Sequence, residues 1–576
     1  MTYPLLAPPF KLAIALSFVF MLEGYITPAA QAQVLAAETS LKPDTSTAQP
    51  SAIDQPNDPA LLSIPATVST SSKLTPTETA ELKVPVSQFE ITGSTVFTPA
   101  DFEPITAPFQ NRELTFSEVL EVRSAITKLY NQHGYITTGA MISPQNVKNG
   151  VVEIQVIEGQ LADIEIQGNT RLSQKFLRDR IAEGAGTPLN VTRLLENLQT
   201  LRLDPRVKQI SADLQSSIQP GSNILRVTVE EADTFNVTGS FDNDRSPSVG
   251  SFRRKIELNE ANLLGNGDAL RLGYSNTSGS NGLDLSYNLP INAKNGALWF
   301  NYSGSRNHVI EAPFSSLDIL SKSRSYEFGF RQPLINKTTQ ELALGLSFSR
   351  QESQTELGLD NIGPFPLSPG ADIEGKTKIS ALRFFQEYTQ RSSQSAFAAR
   401  SQFTLGTNWF GATENVNAPD SQFFAWRGQA QWLKQLAPES LFVLKGDVQL
   451  ASESLVPLEQ FGLGGATTVR GYRRDAILSD SGALLSAELR LPILRSRQQN
   501  NVLQIAPFLD FGTAWNTERR LAGSNTLLST GFGLIWRQGD RFSARVDWGI
   551  PLTNVSGERR SLQENGIYFS MQYAAF

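Results

Sequence analysis

Two short stretches late in the chain carry the residues best suited to a specific electrostatic contact. The first, Phe461-Gly-Leu-Gly-Gly-Ala-Thr-Thr-Val-Arg-Gly-Tyr-Arg-Arg474, is a glycine-rich run in which Arg470 is flanked by Val469, Gly471 and Tyr472. The second, Phe508-Leu-Asp-Phe-Gly512, places Asp510 within an alternating, strand-like segment. Glycine beside a strand carboxylate lets another segment approach the backbone closely. A carboxylate turned toward an interior needs a cation, and Arg470 is the candidate. A guanidinium–carboxylate pair is bidentate and geometrically fixed. Desolvation offsets much of its Coulombic gain, so such a pair ties a loop in place more than it stabilises the fold. The pattern alone is equally compatible with two interior charges that have separate partners.

Most other chemistry is excluded by composition. Cysteine is absent, which removes disulfides, thiol catalysis, iron–sulfur clusters and zinc–thiolate sites. Two histidines, His133 and His308, cannot build a multi-histidine metal centre. A Ser–His hydrolase would have to use His308, in Arg306-Asn-His-Val309, where no nucleophile motif is present. His133 precedes Gly134 at the end of a helical pattern and reads as a helix-terminal residue near free carbonyls. The glycine-rich run lacks the Gly-Lys-Ser/Thr ending and the following helix of a phosphate-binding loop. Lys plus Arg is 50 against 56 for Asp plus Glu, without the basic excess of a nucleic-acid binder. The expectation is a protein that is not an enzyme and uses no cofactor, metal, nucleotide or nucleic acid.

The elements that must position Arg470 and Asp510 follow from patterning. Gly 42, Pro 31 and Phe 33 against Met 4 suit many short strands joined by turns. Residues 1–32 read as a signal peptide: Lys11, the apolar run Leu12–Leu22, then Ala30-x-Ala32, with cleavage before Gln33. Residues 33–82 are rich in Ala, Ser, Thr, Pro and Asp and read as a linker, with a weak helical signal at 34–40. Residues 83–160 and 161–232 form an internal repeat. Phe89-Glu-Ile-Thr-Gly-Ser-Thr95 matches Ile164-Glu-Ile-Gln-Gly-Asn-Thr170, 75 residues on. Each copy predicts strand, helix, helix, strand, strand. The first long helix carries Val119, Val122, Ile126, Leu129 and Tyr130 on one face, with Ser117 as N-cap and Gly134 as C-cap. The second carries Val191, Leu194, Leu195, Leu198 and Leu201 after Asn190. Each module should leave one sheet edge able to accept an extended peptide.

From 233 to 576 alternating segments recur, among them Leu270–Tyr274, Leu283–Tyr287, Leu342–Phe348, Leu441–Val448 and Ile567–Tyr573. Turn clusters separate them: Gly265–Asp268, Asn281-Gly282 and Asn295-Gly296. The aromatic residues Trp299, Phe300, Tyr302, Trp515 and Trp536 suggest a membrane-interface girdle, and Phe576 follows an apolar last strand. The length permits about 14 to 18 spanning strands.

Val469-Arg-Gly-Tyr472 together with Phe508-x-Asp-x-Gly512 resembles the paired signature of the BamA/TpsB superfamily of outer-membrane transporters. Asn262-Leu-Leu-Gly-Asn-Gly-Asp268, at an early periplasmic turn, is similar to that superfamily too. The two repeats resemble its POTRA domains. With the Pro-rich linker and this length, the chain is similar to the two-partner secretion branch (TpsB), the ShlB/FhaC/HecB haemolysin secretion/activation family. The resemblance implies a membrane β-barrel of about 16 antiparallel strands preceded by two α+β POTRA domains. It implies a long loop, at 451–483, folded into the lumen with Arg470 at its tip against Asp510. It places the barrel in outer-membrane lipid and the POTRA domains in the periplasm, with a possible plug helix before them. The implied partner is a TpsA-like secreted exoprotein, unfolded in transit. The alternative within the superfamily is an insertase that assembles other barrel proteins.

Overall fold

The computed structural model describes residues 61–63, 83–147, 149–496, 500–518, 524–554 and 560–575. The expected signal peptide, the weak helix at 34–40 and Phe576 lie outside these residues. A first strand, β1 (Leu62–Ser63), is followed by the two copies of the repeat. Module one comprises β2 (Gln88–Thr92), α1 (Pro99–Thr106), α2 (Phe116–Gln132), β3 (Gly139–Met141) and β4 (Val151–Ile157). Module two comprises β5 (Gln160–Gln167), α3 (Gln174–Ala185), α4 (Val191–Arg202), β6 (Val207–Ser216) and β7 (Ser222–Glu231). In each, the first strand lies parallel to the last, and the remaining strand runs antiparallel to it. The amphipathic faces are buried as their spacing predicts: Val122, Ile126 and Tyr130 on α2, Leu194 and Leu198 on α4.

Helix starts depend on side-chain acceptors, and here one expectation is corrected. Asn190 caps α4 by accepting the Arg193 N–H at 3.1 Å. For α2 the cap is Thr115, not Ser117. Thr115 Oγ1 accepts from Glu118 N at 3.3 Å, while the Glu118 carboxylate accepts from Thr115 N at 2.7 Å. This reciprocal box needs an acid three residues after the cap, which Thr115 has and Ser117 lacks. At the other end His133 is the C-cap, its Nδ1 2.8 Å from the Leu129 carbonyl oxygen.

The repeated glycines have a steric origin. A Cβ on Gly93 would stand 2.3 Å from the Val156 carbonyl oxygen, and one on Gly168 would stand 2.4 Å from that of Val229. In both modules a glutamate at the end of the last strand region then captures the turn. Glu158 accepts from Thr95 N at 2.8 Å, and Glu231 accepts from Thr170 N at 2.7 Å and Leu172 N at 2.9 Å. One expected edge is not free. Leu62 and Ser63 pair in parallel with Ala212 and Asp213 of β6. The linker therefore contributes a strand to module two, which its proline-rich composition concealed.

The second unit is a closed barrel of 16 antiparallel strands. Its first half is β8 (Phe235–Asp242), β9 (Arg253–Glu260), β10 (Ala269–Asn276), β11 (Ser280–Pro290), β12 (Ala297–His308), β13 (Ile319–Asn336), β14 (Gln340–Leu357) and β15 (Lys376–Arg391). Its second half is β16 (Ser395–Thr407), β17 (Phe424–Ala437), β18 (Ser440–Ala451), β19 (Ser481–Ser496), β20 (Asn501–Trp515), β21 (Thr526–Gln538), β22 (Phe542–Pro551) and β23 (Ile567–Ala574). Closure pairs Thr238–Asp242 of β8 with Ser570–Ala574 of β23. Turns at the near end, where the chain enters, are short; connections at the far end, apart from the reversal at 277–279, are longer, the longest joining β18 to β19.

The burial pattern is the reverse of a soluble protein's. Along β13, Ser321, Ser323 and Ser325 are buried inward while Phe328 and Phe330 are exposed outward. Leu346, Leu509, Phe532 and Trp548 extend the outer apolar belt. That inversion suits a barrel wall facing lipid. Among the described residues no helix is long and apolar enough to cross a membrane. Phe300, Trp515 and Trp536 face outward as the girdle requires. Trp299 does not: it lies over the lumen-facing Gly329, because alternation turns it opposite to Phe300. Asn281-Gly282 is also corrected. It lies inside β11, paired with Arg306 and Ser305, and the reversal comes at 277–279 instead.

The Glu231 carboxyl gives a pH-dependent prediction for module two. Burial works against its charge, but the N–H groups of Leu172, Thr170 and Arg171 outweigh it and hold the group below the usual carboxylate range. A lowered folded value means the stabilisation is present above the unfolded pKa and fades as pH falls through the folded one. Glu231→Gln should destabilise module two by about 1–3 kcal/mol at neutral pH. The difference from wild type should shrink below about pH 4. Hydrogen exchange across residues 161–232 of the intact chain measures both; equal protection at neutral pH would refute the role.

Candidate functional site

The connection between β18 and β19 folds into the barrel and delivers Arg470 to its wall. Two short strands, Phe461–Leu463 and Ile477–Ser479, pair with each other and form the stem of this loop. At the tip, Gly465 N donates to the Tyr472 carbonyl at 3.0 Å, closing the turn that presents Val469, Arg470 and Gly471. Apolar packing holds the tip down: Phe461, Leu463, Val469 and Tyr472 share a buried cluster with Leu484, Ala514 and Leu527 of the wall.

Arg470 is 4% exposed and Asp510 is fully buried. The guanidinium donates Nε–H to Asp510 Oδ2 and Nη2–H to Asp510 Oδ1, each at 2.8 Å. The Arg470 backbone N–H adds a third bond to Oδ2 at 3.1 Å. The sequence left open whether these residues meet; the structure brings them together in the bidentate form. Phe508 takes part as well, with its ring centroid 3.4 Å from Arg470 Cζ, within cation–π range. Gly512 supplies room: a Cβ there would stand 2.9 Å from both Leu463 Cδ2 and Val469 Cγ2. Gly471 N donates to the Tyr568 hydroxyl at 3.0 Å. The Tyr472 hydroxyl donates to the Leu528 carbonyl at 2.7 Å and accepts from Thr553 N at 3.0 Å. Every residue of the two motifs thus has a place in one contact.

Sequence reading missed the remaining members of the site. Glu488 on β19 accepts from Arg470 Nη1 at 2.6 Å, from Arg490 Nε at 2.8 Å and from Arg545 Nη2 at 2.6 Å. Arg545 also holds Asp547 through two bonds, at 2.6 and 2.7 Å. Ser486 Oγ donates to Asp510 Oδ1 at 2.7 Å. The cluster therefore balances Arg470, Arg490 and Arg545 against Asp510, Glu488 and Asp547. Its signal in the sequence is polar spacing by two, Ser486-x-Glu488-x-Arg490 and Arg545-x-Asp547, which marks a lumen-facing row.

Further contacts pin the loop around its circumference. Arg473 donates to Glu311 and Glu564, at 3.0–3.1 Å. Arg474 donates to the Asp244 carbonyl oxygen at 2.7 Å. Glu459 accepts from Arg383 on β15 at 2.6 Å and from Gln351 on β14 at 2.9 Å. Asn262 and Asp268 sit elsewhere, in the near-end turn between β9 and β10. There Asn262 Oδ1 accepts from Gly267 N at 3.0 Å and Asp268 accepts from Leu264 N at 2.9 Å.

Comparison with known proteins places this geometry. The family model for the haemolysin secretion/activation protein ShlB/FhaC/HecB matches residues 221–535, and that for the ShlB-type POTRA domain matches 84–159. The chain is similar to the outer membrane transporter CdiB of Escherichia coli, with 26% identity over 488 residues covering 81% of this chain and 79% of CdiB. It is similar to the heme/hemopexin transporter protein HuxB of Haemophilus influenzae (strain 86-028NP), with 24% identity covering 82% and 85%. The solved structure of CdiB from Escherichia coli matches with a TM-score of 0.67 at 19% identity, over 100% of both chains. BamA from Haemophilus ducreyi lacking POTRA domains 1–3 shares the fold, with a TM-score of 0.51 at 15% identity, over 86% of this chain and 100% of that one.

Breaking a buried pair strands the surviving charge, at a cost of about 3–5 kcal/mol. Asp510→Asn should therefore release the loop tip. With no native cysteine, a Val469→Cys reporter can be followed alone. In detergent-solubilised protein it should resist a polar maleimide in the otherwise wild-type chain and react at least about tenfold faster beside Asp510→Asn. Equal labelling would show that the pair does not hold the loop.

Proposed function

The chain belongs to the haemolysin secretion/activation protein ShlB/FhaC/HecB family, and from that membership we propose that it secretes one dedicated exoprotein, unfolded in transit, across the outer membrane. The family is one of outer-membrane transporters with periplasmic POTRA domains. The observation that carries the reading is the loop that lies inside the barrel and is tied to its wall through Arg470.

The exoprotein docks on the POTRA modules, partly by adding a strand to a sheet edge and partly through apolar contacts. It then passes through the lumen while the outer belt, with Leu509, Phe532 and Trp548, faces outer-membrane lipid. Folding outside supplies direction, since the chain has no nucleotide-binding motif. Arg470 acts as a positioning residue: its contacts with Asp510 and Glu488 hold the loop in the conformation that transport requires. No catalytic step is involved. His308, the one histidine of the barrel, pairs with Asp318 at 2.9 Å in a half-exposed far-end contact.

Arg470→Ala removes the contact while leaving the wall strands paired. Secretion should fall at least about tenfold, since the lost interaction exceeds the ~1.4 kcal/mol such a shift needs. Barrel insertion, followed by heat-modifiable migration of the protein from outer-membrane fractions, should be unchanged. Wild-type secretion by this variant would end the positioning role. Deleting the whole gene should remove one large exported protein from the medium or surface. A general fall in many barrel proteins instead would favour the insertase reading.

A further inference from the structure

The outer face of β12 and β13 changes character along each strand. Counted from the near end, the outward positions of β12 are Leu298, Phe300, Tyr302, Gly304 and Arg306. Those of β13 are Phe330, Phe328, Tyr326, Arg324 and Lys322. The two series run side by side, with Phe300 opposite Phe328, Tyr302 opposite Tyr326, Gly304 opposite Arg324 and Arg306 opposite Lys322. Successive outward residues are about 7 Å apart along a strand. The wall therefore passes from apolar to phenolic to cationic within about 14 Å. A bilayer leaflet presents its acyl chains, interface and headgroups in that same order.

Gly304 is the centre of the cationic level. Arg306 follows it two residues on, Arg324 lies directly opposite, and Lys322 stands on the diagonal. Diagonal neighbours are about 7–8 Å apart, so the ends of these long side chains can meet over the glycine. No side chain fills the space between them. A Cβ at 304 would stand 2.7 Å from the Tyr302 hydroxyl, which leans over the glycine from the phenolic level. Three cations and one phenolic donor thus surround an open position on the outer face.

The charges here exceed their protein partners. Arg306, Lys322 and Arg324 are all exposed. Lys322 meets Glu356 at 3.0 Å and keeps further N–H donors. Glu352, opposite Arg324 on β14, is turned instead to Arg350 at 3.1 Å. Among the described residues neither Arg306 nor Arg324 has an ion pair. The sector is also local. The far-end stretches of β16, β17, β18 and β20 turn Leu405, Phe424, Leu450 and Trp515 outward.

We propose that Arg306, Lys322 and Arg324, with the Tyr302 hydroxyl, bind the phosphate-type headgroup of an acylated outer-leaflet lipid whose chains lie along Phe300, Phe328 and Phe330. The far end is the outer-leaflet side, because the periplasmic POTRA domains precede the near end. Each guanidinium can offer an oxyanion two parallel N–H bonds, and the two arginines reach it from neighbouring strands. The occupant is a lipid and not a free anion because the cationic level continues the lipid-facing belt on the same two strands. A free anion would use the charges alone, whereas a lipid uses charges and belt together. The site adds to the secretion reading a fixed lipid contact on the barrel wall, and it does not depend on what the barrel carries.

The probe is lipid A, a phosphorylated and acylated glycolipid, titrated into the full-length chain in neutral detergent and followed by native mass spectrometry. Each cation near a membrane surface strengthens the hold on anionic lipid by about fivefold. Arg306→Gln with Arg324→Gln should therefore weaken lipid A binding at least about tenfold. Arg306→Lys with Arg324→Lys should keep most of it. Phosphatidylcholine should show no difference between wild type and the double glutamine variant. Equal lipid A binding by those two chains overturns the proposal.

Gly304→Leu keeps every charge and guards against misfolding of the charge variants. It fills the space over the glycine and should also weaken lipid A binding at least about tenfold, while heat-modifiable migration stays that of wild type. Wild-type binding by a folded Gly304→Leu chain would show that no headgroup sits there and overturns the proposal. Inorganic phosphate at millimolar concentration should not displace lipid A. Displacement would mark the site as one for a free anion and would likewise overturn the lipid assignment.

Discussion

A guanidinium 4% exposed inside a barrel must be surrounded by carboxylates, and the far-end architecture follows from that requirement. Leaving Arg470 unpaired would cost several kcal/mol. Asp510 meets it with both oxygens, and Glu488 takes the remaining Nη1–H. These carboxylates stand on adjacent strands, so the β19–β20 register has to place them side by side. It does so by setting Ser486 directly opposite Asp510. Ser486 then bonds Asp510 Oδ1 and completes its shell. Glu488 in turn needs more cations than Arg470, and Arg490 and Arg545 supply them. The electrostatics of one loop residue thus constrain the side chains of three wall strands.

A single buried pair would place the loop tip and leave its stem free. Instead the ties are spread around the barrel: Glu459 to Arg383 and Gln351, Arg473 to Glu311 and Glu564, Arg474 to Asp244. Each is a charged or polar contact whose net contribution is modest, because water is lost on both sides. Together with the apolar cluster around Val469 and Tyr472 they form a connected set. Removing one contact leaves neighbours unpaired, so the set gives way cooperatively. Packed interfaces of this kind switch between discrete arrangements and do not deform continuously. The loop is accordingly held as a unit and not contact by contact.

Much of this was legible in the sequence, and the failures have physical causes. Repeat, strand order and helix faces were readable because alternation and the 3.6-residue period act locally. The Arg470–Asp510 contact was only half readable. Residue types suggested it, but 40 residues separate the partners, and only the packing of the folded-in loop against the wall decides that they meet. Glu488 was invisible as a hub because a charged residue on a strand says which face it takes and not what lies opposite. Thr115 displaced Ser117 as cap since Glu118 completes the box only for Thr115. Asn281-Gly282 gave a turn signal, yet cross-strand pairing with Arg306 and Ser305 outweighs a local preference. Leu61–Ser63 was hidden by flanking prolines, because its strand conformation comes from β6 and not from its own sequence.

The lumen's charges bear on what such a barrel can carry. Away from the loop tip a second cluster joins Arg331 and Arg400 to Glu387, and Arg331 also to Glu341. Like the cluster around Arg470, it contains as many cations as anions. A pore that selects small ions lines its narrow part with one sign of charge. Here each cluster neutralises itself, and the guanidinium groups are further occupied by aromatic faces, Arg400 over Phe385 and Arg470 over Phe508. The field from these clusters is therefore short-ranged. An unfolded polypeptide presents positive and negative side chains in succession, and a wall of one sign would hold half of them. Where charges are matched, as in these two clusters, the wall has little hold on either sign, and the loop's own Arg470 and Arg473 are likewise met by carboxylates of the wall and its connections.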